Sequence, residues 1–328
     1  MNSKTQSRKK DHIDVVLGKD VQYSSSAGFD SVRFLHNALP ELDLAKVDLS
    51  CEFLGKSMKF PLIIEAMTGG YPEAGGINRA LAKAAQEAGV AMGLGSQRAM
   101  LENPGLTETF QIRKVAPDIP LIANIGAVQL NHYPVPEIGK LVSSVDADAL
   151  AVHLNALQEI IQPEGDHDFS GALDAISKLC DKIDVPVIVK ETGAGISRDV
   201  AEKLRDAGVA WIDVAGSGGT SWSKVEYMRR GTIPGFEEWG IPTVESIRMC
   251  RGILPLIASG GLRSGVDAAK AIALGADMAG AAFPFLKAYK ENNLAEALSL
   301  WGKQMKVAAF LTGSSNYNEL GNAKLLTS

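Results

Sequence analysis

Short apolar runs alternate with amphipathic stretches along most of the chain, and each apolar run ends on a polar or glycine-rich turn. From residue 61 the alternation becomes regular. Runs at 61–66, 90–94, 121–125, 149–153, 186–189, 211–215, 255–258 and 277–281 are rich in Leu, Ile, Val and Ala, and read as strands buried on both faces. Between them the apolar positions recur at helical spacing, as in 76–88. The clearest case is 264–274. Ser264 stands at the N-cap with Asp267 as its capping-box partner, Val266, Ala268, Ala269, Ile272 and Leu274 form the apolar face, and Gly275 stops the helix. Leu294, Leu298, Trp301, Met305 and Phe310 mark a long closing helix over 292–312. The junctions Ala88-Gly89-Val90, Ala207-Gly208-Val209 and Leu274-Gly275-Ala276 each end a helix at glycine and enter a strand.

Eight strands alternating with helices predict a (β/α)8 TIM barrel rather than an open sheet. The barrel and its closing helix occupy 61–328, and 1–60 form an N-terminal extension. Residues 12–60 are irregular, with turns at Pro40, Asp43 and Asp48, and are expected to cover one barrel end. Residues 1–11 are polar and basic, which by composition alone is a disordered tail.

Composition narrows the class. The 328 residues are 46% hydrophobic and 22% charged, ordinary for a globular chain, and a net charge of −5 argues against a general nucleic-acid binder. No apolar run approaches the ~20 residues that span a bilayer, and no signal-peptide core is present, so a cytoplasmic protein without a membrane partner is expected. Cys51, Cys180 and Cys250 stand apart and form no metal or redox motif.

The unusual polar residues fall where the strands end, which in a barrel is the catalytic face. The stretch 255–286 reads strand, Ser259-Gly260-Gly261, helix, strand. Glycine lets an anion approach backbone N–H groups, and a helix N-terminus adds a favourable dipole, so two such loops after strands seven and eight make a phosphate cradle. Asn124, His153 and Lys190 each close an apolar run. A lysine there needs an anion or an electron-rich acceptor, with Glu191 as the nearest structural partner. Thr68, Ser96 and Thr220 share the same end, which favours a common ligand over three separate helix caps. The loop after strand four carries Asn155, Gln158, Glu159 and Glu164, an oxygen-rich set that suits Mg2+. Arg8, Lys9 and Lys10 with Arg98 make a second anion site, so two phosphate-bearing ligands are expected.

The motifs also follow one order. Arg8-Lys9 with Asp11-His12, Ala66-Met67-Thr68-Gly69-Gly70, Ser96-Gln97-Arg98 and Ala123-Asn124-Ile125-Gly126 come first. His153-Leu154-Asn155 with Gln158-Glu159, Gln162-Pro163-Glu164-Gly165, Val189-Lys190-Glu191 and Gly218-Gly219-Thr220-Ser221-Trp222 follow. Together they resemble the FMN-dependent type 2 isopentenyl-diphosphate isomerases, over about residues 8–286. The resemblance implies FMN, Mg2+, NADPH or another reductant for the flavin, and a homo-oligomer, tetramer or octamer. It implies interconversion of isopentenyl diphosphate and dimethylallyl diphosphate.

By the same resemblance, Ala66, Met67, Thr68, Ser96, Asn124, Lys190 and Thr220 would hold the flavin. Gly260, Gly261, Leu262 and Arg263 with Ala281 and Ala282 would hold its phosphate. Arg8, Lys9, Ser96, Gln97, Arg98, His153, Asn155 and Gln158 would hold substrate, and Glu159 the metal. Gln158, His153 and Lys190 would stand at the chemistry, with Lys190 favouring an anionic reduced flavin and Glu226 a more distant proton-transfer candidate. Some members carry a hydroxyl residue where Ala215 stands, so one flavin contact is expected to be missing. Two other readings stay open. One is an FMN oxidoreductase of the hydroxy-acid oxidase type, with His153 as base; the other is a non-catalytic phospholigand-binding barrel.

Overall fold

The computed structural model describes residues 2–230 and 233–326, with side chains from Ser7 onward. Eight parallel strands close a barrel: β1 (Leu62–Ile64), β2 (Ala91–Gly93), β3 (Leu121–Gly126), β4 (Ala149–Leu154), β5 (Val187–Glu191), β6 (Trp211–Asp213), β7 (Leu256–Ala258) and β8 (Met278–Ala281). β8 pairs with β1 through Ala279↔Leu62 and Ala281↔Ile64, which completes the ring. Ile, Val, Leu and Ala fill these strands and are buried almost throughout, because helices cover the outer face and side chains from opposite strands fill the inside.

The helices that matter for the site are α1 (Asn2–Gly18), α2 (Ala74–Ala88), α3 (Ala156–Ile161), α4 (Trp222–Arg230), α5 (Gly265–Ala273), α6 (Phe283–Lys290) and α7 (Leu294–Thr312). α5 begins as its sequence predicts, with Ser264 Oγ accepting from Asp267 N at 3.3 Å. The return bond lands one residue early, from Arg263 N to Asp267 Oδ2 at 3.1 Å, and Val266 faces outward rather than into the core. α7 closes the barrel against α2 and α5, burying Leu298, Trp301 and Met305, with Phe285 and Trp301 ring centroids 5.0 Å apart. Among the described residues no helix is long and apolar enough to cross a membrane.

The N-terminal segment departs from two expectations. Residues 2–18 form a helix rather than a tail, and α1 buries His12 and Val16 against the barrel mouth. The charged sequence hides this because the helix spends its few apolar positions on one contact line. Residues 19–60 cover both barrel ends, not one. Val21, Tyr23, Ala27 and Phe29 are buried across the loops after β5 and β6, with Tyr23 Oη donating to Gly193 O at 2.9 Å and Trp239 O at 2.8 Å. The hairpin Cys51–Phe53/Lys56–Met58 closes the opposite end, where Phe53 meets Trp211 edge-on at 5.0 Å and Lys56 pairs with Asp148 at 2.8 Å.

Candidate functional site

A cavity of about 570 Å3 opens at the C-terminal ends of the strands under α1. Strand register assembles its floor. His153 on β4 is the ladder partner of Lys190 on β5, and Lys190 is the partner of Asp213 on β6, so three polar side chains stand at one level on neighbouring strands.

At one end lies the glycine cradle. Gly260 and Gly261 have φ of +95° and +73°, and a Cβ on Gly260 would lie 2.1 Å from Gly216 O. The loops after β6 and β7 therefore touch backbone to backbone, which only glycine permits. Leu262, Arg263, Ala281 and Ala282 complete the wall beside the first turns of α5 and α6, and Lys287 from α6 adds a cation the sequence reading did not single out. Thr220 stands nearby, its hydroxyl accepting from Gln22 Nε2 at 3.1 Å.

At the other end three cations converge. Lys9 Nζ donates to Ser96 O at 2.6 Å and sits 5.4 Å above the Phe110 ring. Arg98 pairs with Glu102 at 2.8 Å and reaches Asp166 at 3.4 Å. Gln162 satisfies both its neighbours when its amide oxygen accepts from Arg8 Nη1 (2.9 Å) and its nitrogen donates to Glu226 Oε1 (3.1 Å). Burial, reinforced by Arg8 and Arg98, lowers the Lys9 pKa to about 7, with Glu102 opposing. Glu159 projects from α3 in the same cavity wall. Its Oε1 accepts from Asn155 Nδ2 at 2.8 Å and its Oε2 from Asp166 N at 2.8 Å.

Between the two ends sit His153 and Lys190. Asn124 Nδ2 donates to Leu94 O at 2.9 Å, which leaves its Oδ1 to accept from His153 Nδ1, also at 2.9 Å. That bond assigns the ring proton to Nδ1. Burial first, then Lys190 and Lys9, hold the ring neutral with a pKa lowered to about 3. Lys190 does not pair with the Glu191 carboxylate. It donates to Glu191 O at 3.1 Å, and its charge is met by Asp213 at 3.3 Å and Glu65 at 3.5 Å. These carboxylates outweigh the desolvation of the ammonium and raise its pKa. Gln158 Nε2 donates to Glu226 Oε1 at 3.1 Å, and Glu226 also accepts from His12 Nε2 at 2.7 Å and Arg229 Nε at 2.9 Å. Burial alone would raise the Glu226 pKa, but these donors outweigh it and hold the group ionised.

Residues 139–327 match the family model of FMN-dependent dehydrogenases. The chain is 49% identical to an isopentenyl-diphosphate delta-isomerase of Rickettsia felis, over 97% of this chain and 96% of that one. It is 50% identical to the enzyme of the same name from Nostoc sp., over 97% and 95%. The chain belongs to the type 2 isopentenyl-diphosphate delta-isomerase family. Solved structures with similar folds include a putative lactate oxidase of Pediococcus acidilactici, at a TM-score of 0.71 and 15% identity, covering 100% of this chain and 94% of that one. A mandelate oxidase matches at 0.66 and 18%, covering 100% and 98%. At that identity they share with this isomerase-family chain the barrel alone.

The residues present fit FMN. Gly260 and Gly261 pack the cradle backbone so closely on its neighbours that a Cβ would not fit, which leaves the wall to main chain beside the first turns of α5 and α6, and Ala66 and Met67 line the cavity on the loop after β1. Thr68 itself does not reach the cavity, and neither does Gln97. Gln97 is fully buried, with Oε1 accepting from Asn124 N at 2.9 Å, so it braces β3 instead of meeting a substrate. The other residues named for flavin, phosphate, substrate and metal line the wall, Ser96, Asn155 and Gln158 among them, whereas Lys10, which pairs with Glu73 at 3.6 Å, Glu164, which pairs with Arg229, and Glu226 lie outside it. Ala215 lines it too, at φ +35°, while Ser217 lies outside the lining and is no replacement for a hydroxyl there.

For a metal, Glu159 offers one carboxylate, and among the described residues no group of three His, Cys, Asp or Glu gathers. That suits Mg2+, which keeps several waters and takes ligand phosphates, rather than a cage of protein ligands. Glu65 and Asp213 were missed in the sequence. Their signal is the one that marked Lys190, a charged residue closing an apolar strand.

Proposed function

We propose that this protein is an FMN- and Mg2+-dependent isomerase that interconverts isopentenyl diphosphate and dimethylallyl diphosphate. Family membership supports FMN and the isomerase class. The observation that carries the finer reading is one cavity with two anion-receptive ends, and with His153 and the ion-paired Lys190 between them. The cradle takes the FMN phosphate. Arg8, Lys9 and Arg98 take the diphosphate, arginine by paired donors and lysine as a point charge. Glu159 holds Mg2+ against the diphosphate.

Isomerisation adds a proton at the terminal methylene and removes one from C2, with no net electron transfer. Reduced FMN supplies proton-carrying, electron-rich chemistry that no side chain here matches. The chain's own residues position and shield. Lys190 offsets negative charge on the cofactor, and His153, held by Asn124, stands beside it without gaining charge. Gln158, held by Glu226, stands in the cavity wall, and α1 covers the mouth against water.

The oxidase reading is weaker for a physical reason. An oxidase of hydroxy acids needs a base, and burial together with the Lys190 and Lys9 charges disfavours protonation of His153. The family likeness also supports a homo-oligomer, tetramer or octamer, and the three free cysteines fit a reducing cytoplasm. The deciding experiment supplies FMN-loaded protein with isopentenyl diphosphate, Mg2+ and one aliquot of NADPH or dithionite under anaerobic conditions. Many turnovers of dimethylallyl diphosphate per electron pair are expected. Reductant consumed in step with product would overturn the isomerase reading.

A further inference from the structure

Two carboxylates share one ammonium in the cavity wall. Lys190 Nζ stands 3.3 Å from Asp213 Oδ2 and 3.5 Å from Glu65 Oε2, and all three side chains are nearly sealed from solvent. With both acids ionised the trio carries one net negative charge. The acids are not equally supported. Asp213 also accepts from Ser259 Oγ at 2.7 Å and from Ala215 N at 3.2 Å. Glu65 faces Lys190 on one side and the backbone of Gly280 on the other, where even a Cβ would come within 2.4 Å of Oε1. A carboxylate with three donors keeps its charge; one held by a single cation and the adjacent Ala66 N–H, beside a second carboxylate, is the one that protonates. Burial and then Asp213 push Glu65 up to about 7 against the pull of Lys190. The charges acting on Glu65 are Asp213 and Lys190. Lys190 in turn feels Glu191, and neighbouring His153 stays neutral.

We propose that Glu65 is a redox-linked proton acceptor: when bound FMN gains negative charge on reduction, the Glu65 carboxylate takes up a proton and leaves Lys190 paired with Asp213 alone. This rests on the FMN reading above. The balance is two electrons and one proton to the flavin, supplied by dithionite and solvent, and one further proton from solvent to Glu65. The physical cause is like-charge repulsion in a dry site. A negative trio beside a newly negative cofactor is unfavourable, and protonating the least supported carboxylate removes one charge from the trio. Glu65 acts through Lys190 and is a positioning residue.

The test is the midpoint potential of FMN in the holoenzyme against pH, whose slope counts protons per two electrons. Wild type is expected to take two protons above the Glu65 pKa, and Glu65→Gln one over the same range. A one-proton slope in wild type there, or an unchanged two-proton slope in the variant, overturns the proposal. If Glu65→Gln does not fold or hold FMN, reduced-minus-oxidised infrared spectra of wild type serve instead. A protonated carboxyl band gained on reduction supports the assignment, and its absence refutes it. The two levels of failure separate cleanly. Protein that binds no FMN or isomerises nothing defeats the functional reading, whereas an active flavoprotein with a one-proton slope defeats the role of Glu65 alone.

Discussion

Lys9 is a cation set among cations, and this makes diphosphate binding a protonation event. Its Nζ has Ser96 O at 2.6 Å, while burial and the charges of Arg8 and Arg98 lower its pKa from 10.5 to about 7. A bound diphosphate supplies the missing negative charge and restores the ordinary pKa, so the charged form is the one that binds. The sign follows. Affinity is full below the free-state pKa and falls as pH rises through it, because above that point binding must also recharge the amine. One-proton linkage weakens binding roughly fiftyfold between pH 7 and 9, and about tenfold with the free pKa one unit higher. The assay is calorimetric titration of isopentenyl diphosphate into FMN-loaded protein at saturating Mg2+, in two buffers of different ionisation heat. Uptake approaching one proton per ligand is expected near pH 8, as is a dissociation constant that climbs above neutrality. Lys9→Arg stays charged across this range and should flatten the profile. Constant wild-type affinity across that range, or an identical slope in Lys9→Arg, refutes the reasoning.

Three further outcomes are expected. Glu159→Gln keeps the shape but removes the charge, so the Mg2+ dependence of activity should move to higher concentration with the flavin spectrum unchanged; an unaltered titration places the metal elsewhere. Gly260→Ala combines φ +95° with a Cβ 2.1 Å from Gly216 O, and should cost on the order of 2–4 kcal/mol and lose FMN on desalting. Full flavin retention in that variant argues against the cradle. Glu226→Gln leaves Arg229 with Glu164 at 2.6 Å but takes the charge from a buried hub, so stability should fall by about 3 kcal/mol and kcat should drop while FMN affinity holds. A wild-type melting temperature and kcat would show the hub to be dispensable.

The sequence by itself determined the barrel. Eight apolar runs with helical intervals admit few other closures, and the observed strands fall within or beside each run because burial on both faces demands that composition. It also located the cradle, since Gly260 and Gly261 announce a backbone that must pass close to another, and it flagged His153 and Lys190 as polar ends on buried strands. What it left open depended on partners distant in the chain. α1 is charged along most of its length, and only its seat over the mouth shows why His12 and Val16 face inward. Gln97 reads as a ligand beside Ser96 and Arg98, yet the turn after β2 sends its side chain under β3. The partners of Lys190 lie just after β1 and on β6, brought together only when the ring closes. Local pattern decides what each segment becomes, whereas charge pairing across a barrel is decided by register, which no single segment encodes.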